Sequence, residues 1–165
     1  MVFAQRIPPG PNQESVWDYP RPPRVEPTHR RIMIEIAGIV IADTTHAFRV
    51  LETSHPPVYY LPAVDIRMQY LTPSPHRSFC EFKGYANYWS VAVGQRIEED
   101  CAWSYEHPSA GYEPIRGHIA FYAGRMDVCM VDSEVVVPQP GGFYGGWITI
   151  DVVGPFKGEP NTRGW

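Results

Sequence analysis

The chain has 165 residues, 44% hydrophobic and 19% charged, with a formal net charge of −4. That size and balance fit one domain with a real core and exclude wholesale disorder. They also argue against a nucleic-acid backbone as partner, because that needs a concentrated positive footprint.

Residues 1–30 are proline-rich, with "PPGP" and "PRPP". Such a segment cannot join a ladder for long, and Val2, Phe3, Val16 and Trp17 offer apolar anchors, so an extended, partly docked arm is expected. "THRRIMI" reads as a mildly basic strand end. From there the chain becomes a meander: Ala37-Gly38 separates two β-branched runs as a short hairpin turn, and a strand follows at Ala47 to Leu51. Another strand is expected near Val58 to Leu61, then a short helical turn with Pro62 in its first position, where a missing N–H costs nothing. Asp65 and Arg67 fall in or just beyond that turn.

"YANYWSVAVGQRIEEDCAWSY" is the clearest hairpin, turning at Gly94-Gln95. Strand alternation puts Tyr85, Asn87, Trp89, Val91 and Val93 on one face and Ala86, Tyr88, Ser90 and Ala92 on the other. Both faces carry apolar side chains, so this strand is expected to be central and covered on both sides. A short helix near Tyr112 to Arg116, a strand in "HIAFY" and a hairpin turning at Asp132-Ser133 follow. The tail from Pro138 is glycine-rich but holds large aromatics, and reads as a docked extension. The expected divisions are thus an arm over 1–30, a core over 31–137 and an extension over 138–165.

Metal and phosphate motifs are absent. Cys80, Cys101 and Cys129 form no C-x-x-C pair and the histidines no H-x-x-x-H pair, so no metal and no cofactor is expected. An odd number of scattered cysteines suits free thiols in a reducing cytoplasm. "PGGFYGGW" lacks the Lys-Ser/Thr of a Walker loop, and "GPFKGEP" cannot open a helix cleanly before its proline. The first residues do not read as a secretory leader, and no run reaches the ~18 apolar residues of a membrane span. No membrane partner is expected.

The chemistry concentrates in "SFCEFKGYANYWSV". If residues 79–83 form a regular strand, Cys80 shares a face with Phe82 while Lys83 points the opposite way, toward Glu81's side. A Cys80–Lys83 pair therefore requires a bend at Cys80-Gly84, which Gly84 permits. Without one, Cys80 is a small buried hydrophobe. Tyr59, Tyr60, Trp89, Trp103 and Tyr105, with Asp65, Arg67 and Lys83 in the same region, have the make-up of an aromatic pocket with a few fixed polar groups. Packing in the core is the plainer role for each aromatic taken singly.

"PPVYYLPAVDIRM", "CEFKGYANYWSV", "WSYEHP" and "HIAFYAGRMD" resemble, in the same order, motifs of the bacterial and fungal family known as domain of unknown function 427. The resemblance spans roughly residues 31–132. It implies a β-tent-like fold of curved antiparallel strands with one or two short helical turns and extended N- and C-terminal arms. Tyr60, Asp65, Arg67, Cys80, Lys83, Gly84, Trp103 and Tyr105 match motif positions; Glu81-Phe82 stands where members often carry Pro-Trp. Related β-tent proteins hold zinc through paired C-x-x-C knuckles, which this chain lacks. The family's nucleotidyltransferase-like label would call for a G-S motif followed by paired aspartates, and none is present.

The expected function is binding of a small, anionic ligand in a cleft lined by Tyr60, Trp89, Trp103 and Tyr105, with Asp65, Arg67 and Lys83 as its charged groups. One alternative is a metal-independent hydrolase or group-transfer enzyme using Cys80 or Lys83. A second is an interaction module forming a homodimer through its arms.

Overall fold

The computed structural model describes residues 4–165; the apolar anchors Val2 and Phe3 lie outside them. The chain is mostly β, as its composition dictates. Its strands are β1 (Glu14–Ser15), β2 (Arg24–Pro27), β3 (Ile32–Ile36), β4 (Ile39–Thr44), β5 (Phe48–Leu51), β6 (Val58–Tyr60) and β7 (Leu71–Cys80). There follow β8 (Gly84–Val93), β9 (Arg96–Ser104), β10 (Ile119–Phe121), β11 (Val128–Val131), β12 (Glu134–Val135), β13 (Val137–Pro138), β14 (Trp147–Ile148) and β15 (Val152–Val153). Helix is confined to single 3₁₀ turns such as Ala63–Asp65 and Glu113–Ile115. Pro62 precedes the first of these turns by one position, because its ψ of 138° is still extended.

Three antiparallel sheets carry the fold, in the orders β10-β9-β8-β7, β12-β11-β3-β4 and β2-β5-β6. The turns between β3 and β4, β8 and β9, and β11 and β12 need positive φ. Ala37 and Gly38 supply it at 49° and 77°, Gly94 at 58°, and Asp132 and Ser133 at 48° and 71°. The first and third sheets are stitched where Leu61 and Ile119 exchange backbone hydrogen bonds of 2.9 and 2.8 Å.

Alternation along β8 and β9 creates two apolar layers from one pair of strands. Val91, Val93 and Ala102 point into the main core with Ile32, Ile34, Ile36, Ile41 and Leu61, and a register shift between Trp89 and Val91 lets Cys101 join them out of alternation. Ala86, Trp103 and Tyr105 point the other way, meeting Val50 and Tyr60 from the third sheet in a second cluster. β8 is thus an inner strand with apolar cover on both faces. The second cluster is where the cleft opens.

The segments flanking these sheets are woven into them. β2 pairs with β5, and β1 pairs in parallel with β15, aligning Glu14 with Val152. Trp147 is 1% exposed, and its indole N–H donates to the Phe121 carbonyl at 3.0 Å. That bond binds the C-terminal segment to the edge of the first sheet.

Candidate functional site

The site begins with a turn. Residues 81–83 leave the ladder after Cys80, and β8 resumes at Gly84, which pairs with Cys80 and has a φ of 103°. An L side chain is strained at that φ, so glycine belongs there. The turn is fixed from outside by the Ser109 N–H, which donates to the Lys83 carbonyl at 2.9 Å. Regular alternation would separate Cys80 and Lys83; the turn instead sets both on the wall of one cleft.

The cleft has a volume of about 330 Å³. β6 contributes Val58 and Tyr60, β8 contributes Tyr88, and β9 with the residue after it contributes Trp103 and Tyr105. The Trp103 indole N–H donates to the Tyr60 hydroxyl at 3.2 Å, which leaves the Tyr60 proton free to donate. The Tyr105 hydroxyl has no hydrogen-bond partner among the described residues. Burial pushes both phenols well above the ordinary tyrosine range, so both remain donors.

Lys83 supplies the charge. Its ammonium stands 5.7 Å from the centre of the Tyr105 ring, and among the described residues no carboxylate is within ion-pairing distance. Burial works against the cation, but Glu52 and a hydrogen bond to Cys80, joined by Tyr60 once that phenol ionises, outweigh it and hold Lys83 above the ordinary lysine range. Glu52 is already engaged by Arg21 at 3.1 Å and by His55 at 3.4 Å. Burial would raise its carboxyl, yet His55, Lys83 and Arg21 hold it below the usual range.

A further part of the wall comes from the C-terminal segment. Gln139 is the keystone: its carbonyl accepts from the Gly146 N–H at 3.0 Å, and its amide donates to the Lys157 carbonyl at 2.9 Å. The same amide nitrogen lies 3.1 Å from His55 Nδ1, and His55 packs edge-on to Tyr144. The glycines allow a close approach. A Cβ on Gly145 would fall 2.0 Å from Trp103 Cη2, and one on Gly146 2.5 Å from the Pro56 carbonyl. Lys157 reaches back over Tyr144, 5.3 Å from the ring centre.

Of the residues singled out from sequence, Tyr60, Cys80, Lys83, Trp103 and Tyr105 line this one cleft. Asp65, Arg67 and Trp89 do not. Asp65 accepts from the Thr44 hydroxyl at 2.7 Å; Arg67 is exposed and held through its backbone, its N–H donating to Ile41 and its carbonyl accepting from Tyr70. Trp89 packs on the main core and donates to the Ser104 hydroxyl at 2.9 Å. His55, Gln139, Tyr144 and Lys157 were not among the sequence candidates. Their only local signal was a lysine and aromatics set between glycines.

All three cysteines are free. Cys80 is half-buried at the cleft, whereas burial pushes Cys101 up to about 11 and raises Cys129 as well. Among the described residues no three His, Cys, Asp or Glu side chains converge as metal ligands, and no helix is long and apolar enough to cross a membrane. A wider depression of about 650 Å³ beside Thr72–His76 has no lysine, arginine, tyrosine or tryptophan in its wall.

Fold and site together define a β domain with an aromatic-walled cleft built around a lysine. The chain belongs to the family described as Domain of unknown function (DUF427), whose model matches residues 24–132. Among curated proteins none matches it. The matched segment contains Tyr60, Cys80, Lys83, Trp103 and Tyr105 but ends before Gln139, Tyr144 and Lys157.

Proposed function

We propose that the cleft binds a small molecule through a carboxylate or similar oxyanion, with Lys83 as the anchor. The observation that carries this reading is the Lys83 ammonium, drawn in over the Tyr105 ring without an ion-pairing carboxylate. No carboxylate of the described residues contacts this cation directly, so a ligand oxyanion supplies the missing charge-assisted hydrogen bond. The free proton of Tyr60 and the unpartnered Tyr105 hydroxyl add two neutral donors beside it, so the polar groups here favour an acceptor-rich guest. The aromatic walls suit an apolar or unsaturated body behind the anion. Calorimetric titration with benzoate tests the reading: Lys83→Met is expected to weaken binding about tenfold or more. Equal affinity in the two proteins would overturn it.

A second reading, group transfer through Cys80, draws on the half-buried thiol that shares the cleft with Lys83. It requires Cys80 to react with iodoacetamide at neutral pH faster than free cysteine does. A slower rate counts against it.

A further inference from the structure

Lys157 is the second cation of the cleft, and it comes from a different segment of the chain. Lys83 rides on the turn between β7 and β8, whereas Lys157 belongs to the C-terminal segment. The backbone around Lys157 is clamped. Its N–H donates to the Ser54 carbonyl at 2.9 Å, its own carbonyl accepts from Gln139, and a Cβ on the neighbouring Gly158 would fall 1.9 Å from the Pro140 carbonyl. Like Lys83, it lies over a tyrosine ring and has no ion pair among the described residues. Two carboxylates share the wall, but Glu52 is taken by Arg21 and His55, and Glu81 is exposed on the turn. Between the lysines the wall is largely aromatic, with Tyr60, Trp103, Tyr105 and Tyr144.

We infer that the ligand carries two oxyanion groups on a flat unsaturated scaffold, one held by Lys83 and the other by Lys157. This rests on the anion-binding reading of the same cleft and adds a specificity determinant from outside the family-matched segment, which ends at residue 132. A monoanion uses Lys83 alone; a dianion uses both.

The test compares benzoate with benzene-1,3- and benzene-1,4-dicarboxylate by calorimetry on the full chain, on Lys157→Met and Lys157→Gln, and on Lys83→Met. In the unaltered protein at least one dicarboxylate is expected to bind about tenfold tighter than benzoate. Both Lys157 variants should lose that advantage, the dicarboxylates falling to within about twofold of benzoate in the same variant, and Lys83→Met should weaken every probe. A dicarboxylate advantage that is absent at the outset, or that survives in both Lys157 variants, overturns the two-lysine inference. That failure is distinct from failure of the anion-binding reading, which shows as benzoate affinity indifferent to Lys83→Met.

Discussion

Lys83 illustrates how a single side chain acquires a role from opposing forces. Burial alone would push its ammonium toward neutrality, but Glu52 and a hydrogen bond to Cys80, joined by Tyr60 once that phenol ionises, reverse that and raise it above the usual lysine range. A raised folded value means the charge is fully present below the unfolded value and is lost only as pH rises through the folded one. The affinity ratio for benzoate between the unaltered protein and Lys83→Met is therefore expected to stay constant within about twofold from roughly pH 6 to 9. A ratio collapsing in that window would show a neutral lysine. The cysteines separate by the same logic: burial pushes Cys101 up to about 11 and raises Cys129, while Cys80 lies half-buried at the cleft. Mass spectrometry after brief iodoacetamide treatment near pH 8 should find Cys80 modified and the other two intact until the chain unfolds.

At the scale of elements, two glycines hold the cleft in shape for different reasons. Gly84 is needed for its φ of 103°, and an alanine there is expected to cost about 1–2 kcal/mol in chemical denaturation while displacing Lys83. Gly145 is needed for space, since any Cβ would meet the Trp103 ring at 2.0 Å. Gly145→Ala should lift the C-terminal wall, changing Trp103 fluorescence and weakening benzoate binding. An unchanged spectrum and affinity would mean that this wall does not shape the cleft. The turns at Ala37-Gly38, Gly94-Gln95 and Asp132-Ser133 were legible because residues tolerant of positive φ stood between apolar runs. Most of β7 was not, because Pro73 and Pro75 lack the N–H that a ladder needs. They fit because β7 is an edge strand, paired only with β8. The turn at residues 81–83 was readable only as a condition, since a strand-like string carries no mark of where its ladder ends.

On the scale of the whole molecule, chain ends distant in sequence complete one structure. Arg49 on β5 binds Glu14 of β1 at 2.6 Å and Glu26 of β2 at 2.5 Å. Burial would raise the Glu14 carboxyl, but the bonds from Arg49 and Tyr19 win and hold it below the usual range. A lowered folded value gives stability that is present above the unfolded value and lost as pH falls through the folded one. Glu14→Gln should therefore destabilise the protein at neutral pH, with the difference shrinking as pH falls below the ordinary glutamate range. The same long-range closure explains why half of the cleft was hidden from sequence. Tyr60, Cys80, Lys83, Trp103 and Tyr105 stood out as chemistry-bearing residues within familiar motifs. His55, Gln139, Tyr144 and Lys157 acquire meaning only when the C-terminal segment packs against the β6 side of the cleft. The central claim is that Lys83 anchors an anion beside Cys80, and it is tested most directly by the alkylation rate of Cys80 with and without saturating benzoate. At about ten times its Kd, benzoate is expected to slow the reaction about tenfold in the unaltered protein and by no more than about twofold in Lys83→Met at the same concentration. A Cys80 rate indifferent to bound benzoate in the unaltered protein would contradict it.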